Sequence, residues 1–248
     1  MKGAWPRLVA ELVVIVLGVL IALGVDSLVS WAQDRTREVE YLERLLDDVE
    51  YDLEEIAFVN SVATAGGVYA DSLLMPGVAD GWEDAHLVGA LVIASNARQP
   101  DLSRSTWQEL VSSGRIGLIR SREVRTQLAN YERLFLEHVG FWDRAPPDLQ
   151  VWVRSRIPDG VIAVFRATCR LPDSPLVSDP VQVCPYEIGG WTGDGLRAGI
   201  ATEEARRLIV FQTWRIAGTR SIAGIFGRAA EDLRATIRQE LDDTEEPV

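Results

Sequence analysis

From Leu8 to Val25 the chain runs eighteen residues with one polar side chain, Glu11, and from Leu12 to Val25 with none. A helix of that length rises roughly 27 Å, close to the ~30 Å hydrocarbon thickness of a bilayer. Trp5 and Trp31 bracket the run. They lie about 39 Å apart on an ideal helix, near the ~40–45 Å that includes both interfacial layers. An indole favours that level because its apolar ring and its polar N–H are both satisfied there. The pattern predicts an N-terminal transmembrane anchor over residues 1–31. Two other readings use the same residues. A cleaved signal peptide needs small residues ahead of the cut, and Ala22-Leu23-Gly24 is a weak version of them. A buried core helix has no need of flanking indoles. Against the signal peptide, no turn signal follows Gly24.

Lys2, Arg7 and the α-amino group precede the span, whereas the other flank begins with Asp26 and reaches Arg35 and Arg37 only later. The positive-inside rule then predicts a cytoplasmic N-terminus and an extracytoplasmic domain. That domain, residues 32–241, together with the tail 242–248 carries the whole acidic excess. The net charge is -12, and the anchor balances Lys2 and Arg7 against Glu11 and Asp26. Such a domain repels nucleic acid at long range, so no nucleic-acid partner is expected.

Past Trp31 the helical pattern continues. Leu42, Val49, Ile56 and Ala63 recur every seven residues, with Val39, Leu46 and Leu53 as a second row. Together they predict one apolar stripe. Glu43, Asp47, Asp48, Glu50, Glu54 and Glu55 read as its solvated face. Gly66-Gly67 is a place to bend or end the helix, and Met75-Pro76-Gly77 a place where helix must stop. Further helices are predicted over Glu83–Asn96, from the Ser105-Thr106 cap to Gly114, from Ser121 to about Trp142, and from Pro146-Pro147 to about Arg156. Residues 158–199, rich in Pro and Gly, predict an irregular excursion. A second long helix follows over Thr202–Leu241, then an acidic tail, 242–248. The predicted fold is all-α: an anchor continuing into a long amphipathic helix, paired antiparallel with the second long helix, in an extramembrane bundle.

Candidate sites are few. Cys169 and Cys184, the only cysteines, both fall in the excursion. An exported pair of this kind usually oxidises, and closing the loop would stabilise by roughly 3 kcal/mol. Free thiols remain an alternative, and a metal site is a poor one without nearby His. His86 in Glu83-Asp84-Ala85-His86 has the Glu-x-x-His spacing of di-iron bundles in a single copy, and Glu137-His138 has no support; both histidines read as surface or helix-end residues. No serine elbow, phosphate loop or His-Glu-x-x-His occurs, and Lys2 is the only lysine. No cofactor, metal or catalytic residue is expected. Glu11, Gly18 and Ala22 share one line on the anchor, a small-xxx-small pair with a carboxylate, which reads as a helix-contact face. Snorkelling of Glu11 to the headgroups explains it as well.

Two stretches resemble a family of bacterial one-span membrane proteins, a domain-of-unknown-function family. One is Gly18-Val19-Leu20-Ile21-Ala22-Leu23-Gly24-Val25-Asp26 with Tyr41-Leu42-Glu43-Arg44-Leu45-Leu46-Asp47-Asp48. The other is Thr106-Trp107-Gln108-Glu109-Leu110 with Ser112-Ser113-Gly114-Arg115-Ile116-Gly117-Leu118-Ile119-Arg120. Family members commonly carry Asn where Asp26 stands, and the Cys-containing excursion falls outside the likeness. The resemblance implies an anchored helical domain in the bacterial inner membrane and carries over no reaction, ligand or catalytic residue. The second stretch reads as a structural corner, with Trp107 and Leu110 facing the core, Gly114 as a left-handed C-cap and Ser121 restarting the helix. The expected function is a non-enzymatic scaffold or accessory subunit. Its partners are other membrane protein subunits, reached through anchor and outer helices, and the lipid bilayer. The alternative is an exported sensor or ligand-binding domain.

Overall fold

The structure, a computed structural model, describes residues 5–96, 99–143, 148–168 and 190–245. Among them all regular structure is helical. The helices are α1 (Trp5–Leu74), α2 (Asp84–Ala94), α3 (Ser105–Ser112), α4 (Arg122–Asp143), α5 (Asp148–Arg156), α6 (Asp159–Thr168), α7 (Asp194–Ile200) and α8 (Glu203–Glu245). Single 3-10 turns lie at Ala79–Gly81 and Arg115–Leu118. Residues 15–33 of α1 are exposed throughout, and this stretch is long and apolar enough to cross a membrane.

The chain forms two compact units. The first gathers Met1–Asp48, Arg104–Thr126 and Thr236–Val248; the second gathers Val49–Ser103 and Gln127–Ala235. In the second unit α1 and α8 run antiparallel: Gly227 sits against Ile56, and Gly66 and Gly67 sit against Ile216. In the first, Arg35 of α1 reaches Thr244 near the end of α8.

Along α1 the buried positions step by four and three: Glu38, Leu42, Leu45, Val49, Asp52, Ile56, Val59 and Ala63, then Gly66, Ala70 and Leu73. A 3.5-residue repeat of this kind keeps one seam facing a partner helix. The expected second row of Val39, Leu46 and Leu53 is only half-buried. The seam runs one position earlier because two of its members are carboxylates, which an apolar pattern skips. On α8 the same rhythm covers Ala205, Ile209, Gln212, Ile216, Thr219, Ala223, Phe226, Ala230, Leu233 and Ile237, all buried.

Gly66-Gly67 does not end α1, which continues to Leu74. A Cβ added at Gly66 would lie 3.2 Å from the Ile93 carbonyl oxygen and 3.4 Å from Ile216. Bare backbone here lets α2 and α8 come close. Met75-Pro76-Gly77 does stop the helix, with Gly77 at φ 76°. α2 buries Leu87, Val88, Gly89, Ala90, Leu91, Ile93 and Ala94, so it is a core helix apolar on every side and not a one-faced one. Around it pack Tyr69 and Leu73 of α1, Leu149 and Trp152 of α5, Leu196 and Ile200 of α7 and Ile209 of α8.

The segment 158–199 is not irregular throughout. Its described ends are α6 and α7, whose Val161, Phe165, Leu196 and Ile200 are buried. Short runs such as Val161–Phe165 carry too few periods to distinguish helix from strand. Cys169 and Cys184 lie outside the described residues.

Candidate functional site

Glu38 is the centre of the first unit. Its carboxylate is fully buried, Oε1 accepts the Arg120 backbone N–H at 2.5 Å, and Oε2 accepts Arg35 Nη1 at 2.6 Å. Arg120 Nε lies 3.5 Å from the same group, and the Arg120 guanidinium carbon sits 5.2 Å from the centre of the Trp31 ring. Arg125 grips the other side of the corner by donating to the carbonyls of Ile119 and, at 2.9 Å, Arg120. One turn along α1, Glu109 accepts from Tyr41 Oη at 2.7 Å and from Arg44 at 2.6 Å. The hydrogen bond from Arg44, then that from Tyr41, holds the Glu109 carboxyl below its ordinary range. Asp48 closes the set, taking Thr106 N–H at 3.2 Å and Ser105 Oγ at 3.4 Å. It thereby caps α3, whose own first residues make no side-chain cap. The expected Ser105-Thr106 self-cap is thus replaced by a carboxylate from α1.

The segments 41–48 and 105–115 therefore meet in space: Tyr41, Arg44 and Asp48 hold Ser105, Thr106, Glu109 and Arg115, the last donating to Tyr41 Oη at 3.4 Å. Gly114 is the left-handed C-cap at φ 69°, Ile119 is fully buried, and Ser121 Oγ accepts Val124 N–H at 3.3 Å. The corner is built as expected, except that Thr106 and Leu110 are its buried pair and Trp107 is half-buried.

In the second unit Asp52, 1 % exposed, accepts Ser103 N–H at 2.6 Å and Tyr131 Oη at 2.8 Å. Burial first, then the charge of Asp52, pushes the Tyr131 phenol far above its ordinary range, so it stays a donor. Glu55 accepts Asp101 N–H at 3.3 Å. Asp48 and Glu55, expected on a solvated face, instead hold backbone of the 101–106 segment. Asp84, in the first turn of α2, receives Arg197 Nη1 at 2.6 Å while Nη2 donates to the Trp82 carbonyl at 2.5 Å. Burial alone would raise the Asp84 carboxyl; the Gly193 N–H and the Arg197 guanidinium outweigh it and hold it lowered. These groups are saturated by one another, which makes them structural clamps.

His86 lies in the first turn of α2, at a helix end as expected, and is half-buried. It lies 4.6 Å from the Trp82 ring and 6.0 Å from Tyr69. His138 stacks edge-on to Phe226 at 5.9 Å, with Nδ1 2.8 Å from the Leu134 carbonyl. Among the described residues no group of three metal-ligating side chains converges. A cavity of about 180 Å³ between Leu73, Pro76, Arg197, Ile200, Arg206 and Ile209 is smaller than the ~300–1,000 Å³ of ordinary ligand pockets.

The feature the sequence reading missed is on α8. Opposite its buried seam, Val210, Phe211 and Trp214 are 50 %, 43 % and 75 % exposed. Ala217, Ser221 and Gly224 follow, exposed and small. The line Val210, Trp214, Ala217, Ser221 and Gly224, roughly 21 Å of helix, holds no charged residue, with exposed Arg220 flanking it and Arg228 Nη1 3.7 Å from where a Cβ at Gly224 would lie. Exposed apolar surface of that kind marks an interaction site more often than a solvated one. The signal was present as Val210, Phe211 and Trp214 lying off the core period.

On the anchor, Gly18 and Ala22 are exposed, and a Cβ at Gly18 would meet nothing within 4 Å. The side chains of Trp5 and Glu11 lie outside the described part. No protein-family model, curated protein or solved structure matches the chain.

Proposed function

We propose that the chain is a non-enzymatic, membrane-anchored scaffold or accessory subunit of a bacterial membrane assembly. The observation that carries the reading is the exposed apolar patch of Val210, Phe211 and Trp214 on α8, whose indole at Trp214 is 75 % exposed. A solvated helix has no use for it, and a helix packed on another protein does. The anchor crosses the inner membrane with its N-terminus cytoplasmic and the domain on the other side, as the placement of Lys2 and Arg7 implies. Gly18 and Ala22, open on the span, serve as a second contact. In that oxidising compartment Cys169 and Cys184 form a disulfide. The sensor alternative finds less support, since the cavity near Arg206 is small and its Arg197 is already occupied by Asp84.

The test is recovery of the assembly in gentle detergent. Wild-type protein should migrate with partner subunits, and Trp214→Arg should lose them while keeping its helical content, because Trp214 is 75 % exposed. Gly18→Leu should weaken the same association through the membrane. Migration of wild type and Trp214→Arg as the same lone species would refute the reading. A reporter active only outside the cytoplasm, fused after Val248, should be active; a silent reporter reverses the topology and removes the case for the disulfide.

A further inference from the structure

We propose that Arg120, stacked on Trp31, binds the phosphate of an anionic lipid headgroup. The inference rests on the membrane-crossing reading of α1 and adds a ligand to it.

If Trp31 is the indole at the exit of the span, it lies in the interfacial layer, which is roughly 5–7 Å thick on each side of the hydrocarbon. The Arg120 guanidinium carbon is 5.2 Å from the Trp31 ring centre, which puts it within about one interfacial-layer thickness of that indole. Arg120 is 89 positions from Trp31 in sequence, which is why no reading of the juxtamembrane flank includes it.

The second step is rigidity. The Arg120 N–H is fixed by Glu38 and its C=O by Arg125, and Ile119 beside it is fully buried. The side chain therefore leaves a pinned backbone. Its contact with Glu38 uses Nε at 3.5 Å, and the side chain is 39 % exposed. A guanidinium has a planar fork of donors, so this long contact orients it without using it up. Stacked on an indole and presenting that fork, it matches a phosphate better than an ammonium would.

The third step is charge. The whole chain carries -12, and a surface of that sign is repelled by anionic lipid. From Leu110 to Arg122 the corner holds Arg115, Arg120 and Arg122 and no carboxylate. Glu38 beside Arg120 and Glu109 beside Arg115 offset part of that charge, and the contact with Trp31 puts Arg120 next to the interface. Arg35 is not assigned to lipid, because Glu38 and Thr244 take it. Arg37 is paired with Asp34 at 3.5 Å and is 58 % exposed, which makes it the matching control for a lost surface charge.

The experiment uses the full chain reconstituted in bilayer discs of phosphatidylcholine with phosphatidylglycerol. Lipid retained on release into mild detergent is read by native mass spectrometry. Wild type should keep phosphatidylglycerol in preference to phosphatidylcholine. Arg120→Gln, which leaves the backbone contact to Glu38 in place, should lose about fivefold of that preference, and Arg37→Gln should keep it. Equal loss in both variants would mean diffuse surface charge and overturn the site. No preference in wild type would overturn it as well. Added inorganic phosphate that strips phosphatidylglycerol from wild type would assign the site to free phosphate and overturn the lipid. Release of the chain from native membranes by alkaline carbonate would instead sink the membrane-crossing reading itself.

Discussion

Replacing Glu38 with Leu sets two lines of reasoning against each other. Glu38 occupies a seam position of α1 between Leu42 and the span, and a coiled-coil seam is ordinarily improved by Leu. By that logic Glu38→Leu stabilises. The hydrogen bonds say otherwise. The Arg120 N–H loses its short acceptor beside the buried Ile119, and leaving such a part-buried donor unpaired costs on the order of 1–3 kcal/mol. The lost ion pairs add little, because the Arg35 and Arg120 side chains are 26 % and 39 % exposed and such pairs are worth about 0–1 kcal/mol each. The apolar gain of a buried Leu, about 1.5–2 kcal/mol, offsets part of this. Glu38→Gln keeps an oxygen for the Arg120 N–H but loses charge assistance and the acceptor for Arg35 Nη1, together on the order of 1 kcal/mol.

The three proteins should therefore rank wild type, then Gln, then Leu. The Leu variant falls about 1–2 kcal/mol below wild type once the terms are netted. For a domain of this size each kcal/mol moves the melting midpoint by roughly 2–4 °C. Thermal unfolding of the full chain in mild detergent, followed by far-ultraviolet circular dichroism, measures it. A Leu variant as stable as Gln, or more stable than wild type, would show that the clamp contributes nothing and that the seam alone sets stability in the first unit.

Gly67→Ala, whose new Cβ meets only Ile216 at 3.5 Å, should be neutral or stabilise by up to about 1 kcal/mol; Gly66→Ala, 3.2 Å from the Ile93 carbonyl, should cost about 1–3 kcal/mol more than that in the same melt. The lowered Asp84 carboxyl contributes stability that is present above the ordinary Asp value of 3.8 and lost as pH falls through it. Melts of Asp84→Asn should show less acid dependence than wild type, and so should Gly193→Ala, whose Cβ would lie 2.5 Å from Asp84 Oδ1; an unchanged pH profile counts against the clamp. In a double-mutant cycle, Asp52→Asn and Tyr131→Phe should couple by about 1–3 kcal/mol, because each removes one end of a buried charge-assisted bond; strict additivity would deny the contact.

The helices were legible where composition and period agree. Leu12–Val25 admits few folds besides a helix, Met75-Pro76-Gly77 can only stop one, and Ile209, Ile216, Ala223, Phe226, Ala230, Leu233 and Ile237 keep a single phase along α8. Segments too short to show a period were not legible, which is why α6 and α7 were taken for irregular chain. The clamps were hidden for another reason. Asp48, Asp52, Glu55 and Glu109 look like any acidic face until a second segment arrives to donate to them, and that segment lies 46 to 79 positions away in the Asp101–Glu55 and Tyr131–Asp52 bonds.

The one-position slip on α1 has a sharper cause. Seeking apolar residues alone, the pattern passes over Glu38 and Asp52 and settles on Val39, Leu46 and Leu53, which share a heptad row of their own. The backbone does not distinguish the two rows; burial does, and it follows steps of four and three through Glu38, Leu45, Asp52 and Val59. A carboxylate can hold such a position only if donors reach it, and each of these two has a backbone N–H within 2.6 Å. The same test applied to α8 keeps Gln212 and Thr219 in its seam, between Ile209 and Ala223. It leaves Trp214 on the opposite face. An indole exposed there fits neither seam nor solvent, so the residue that least fits the fold of the chain is the one that points to a surface beyond it.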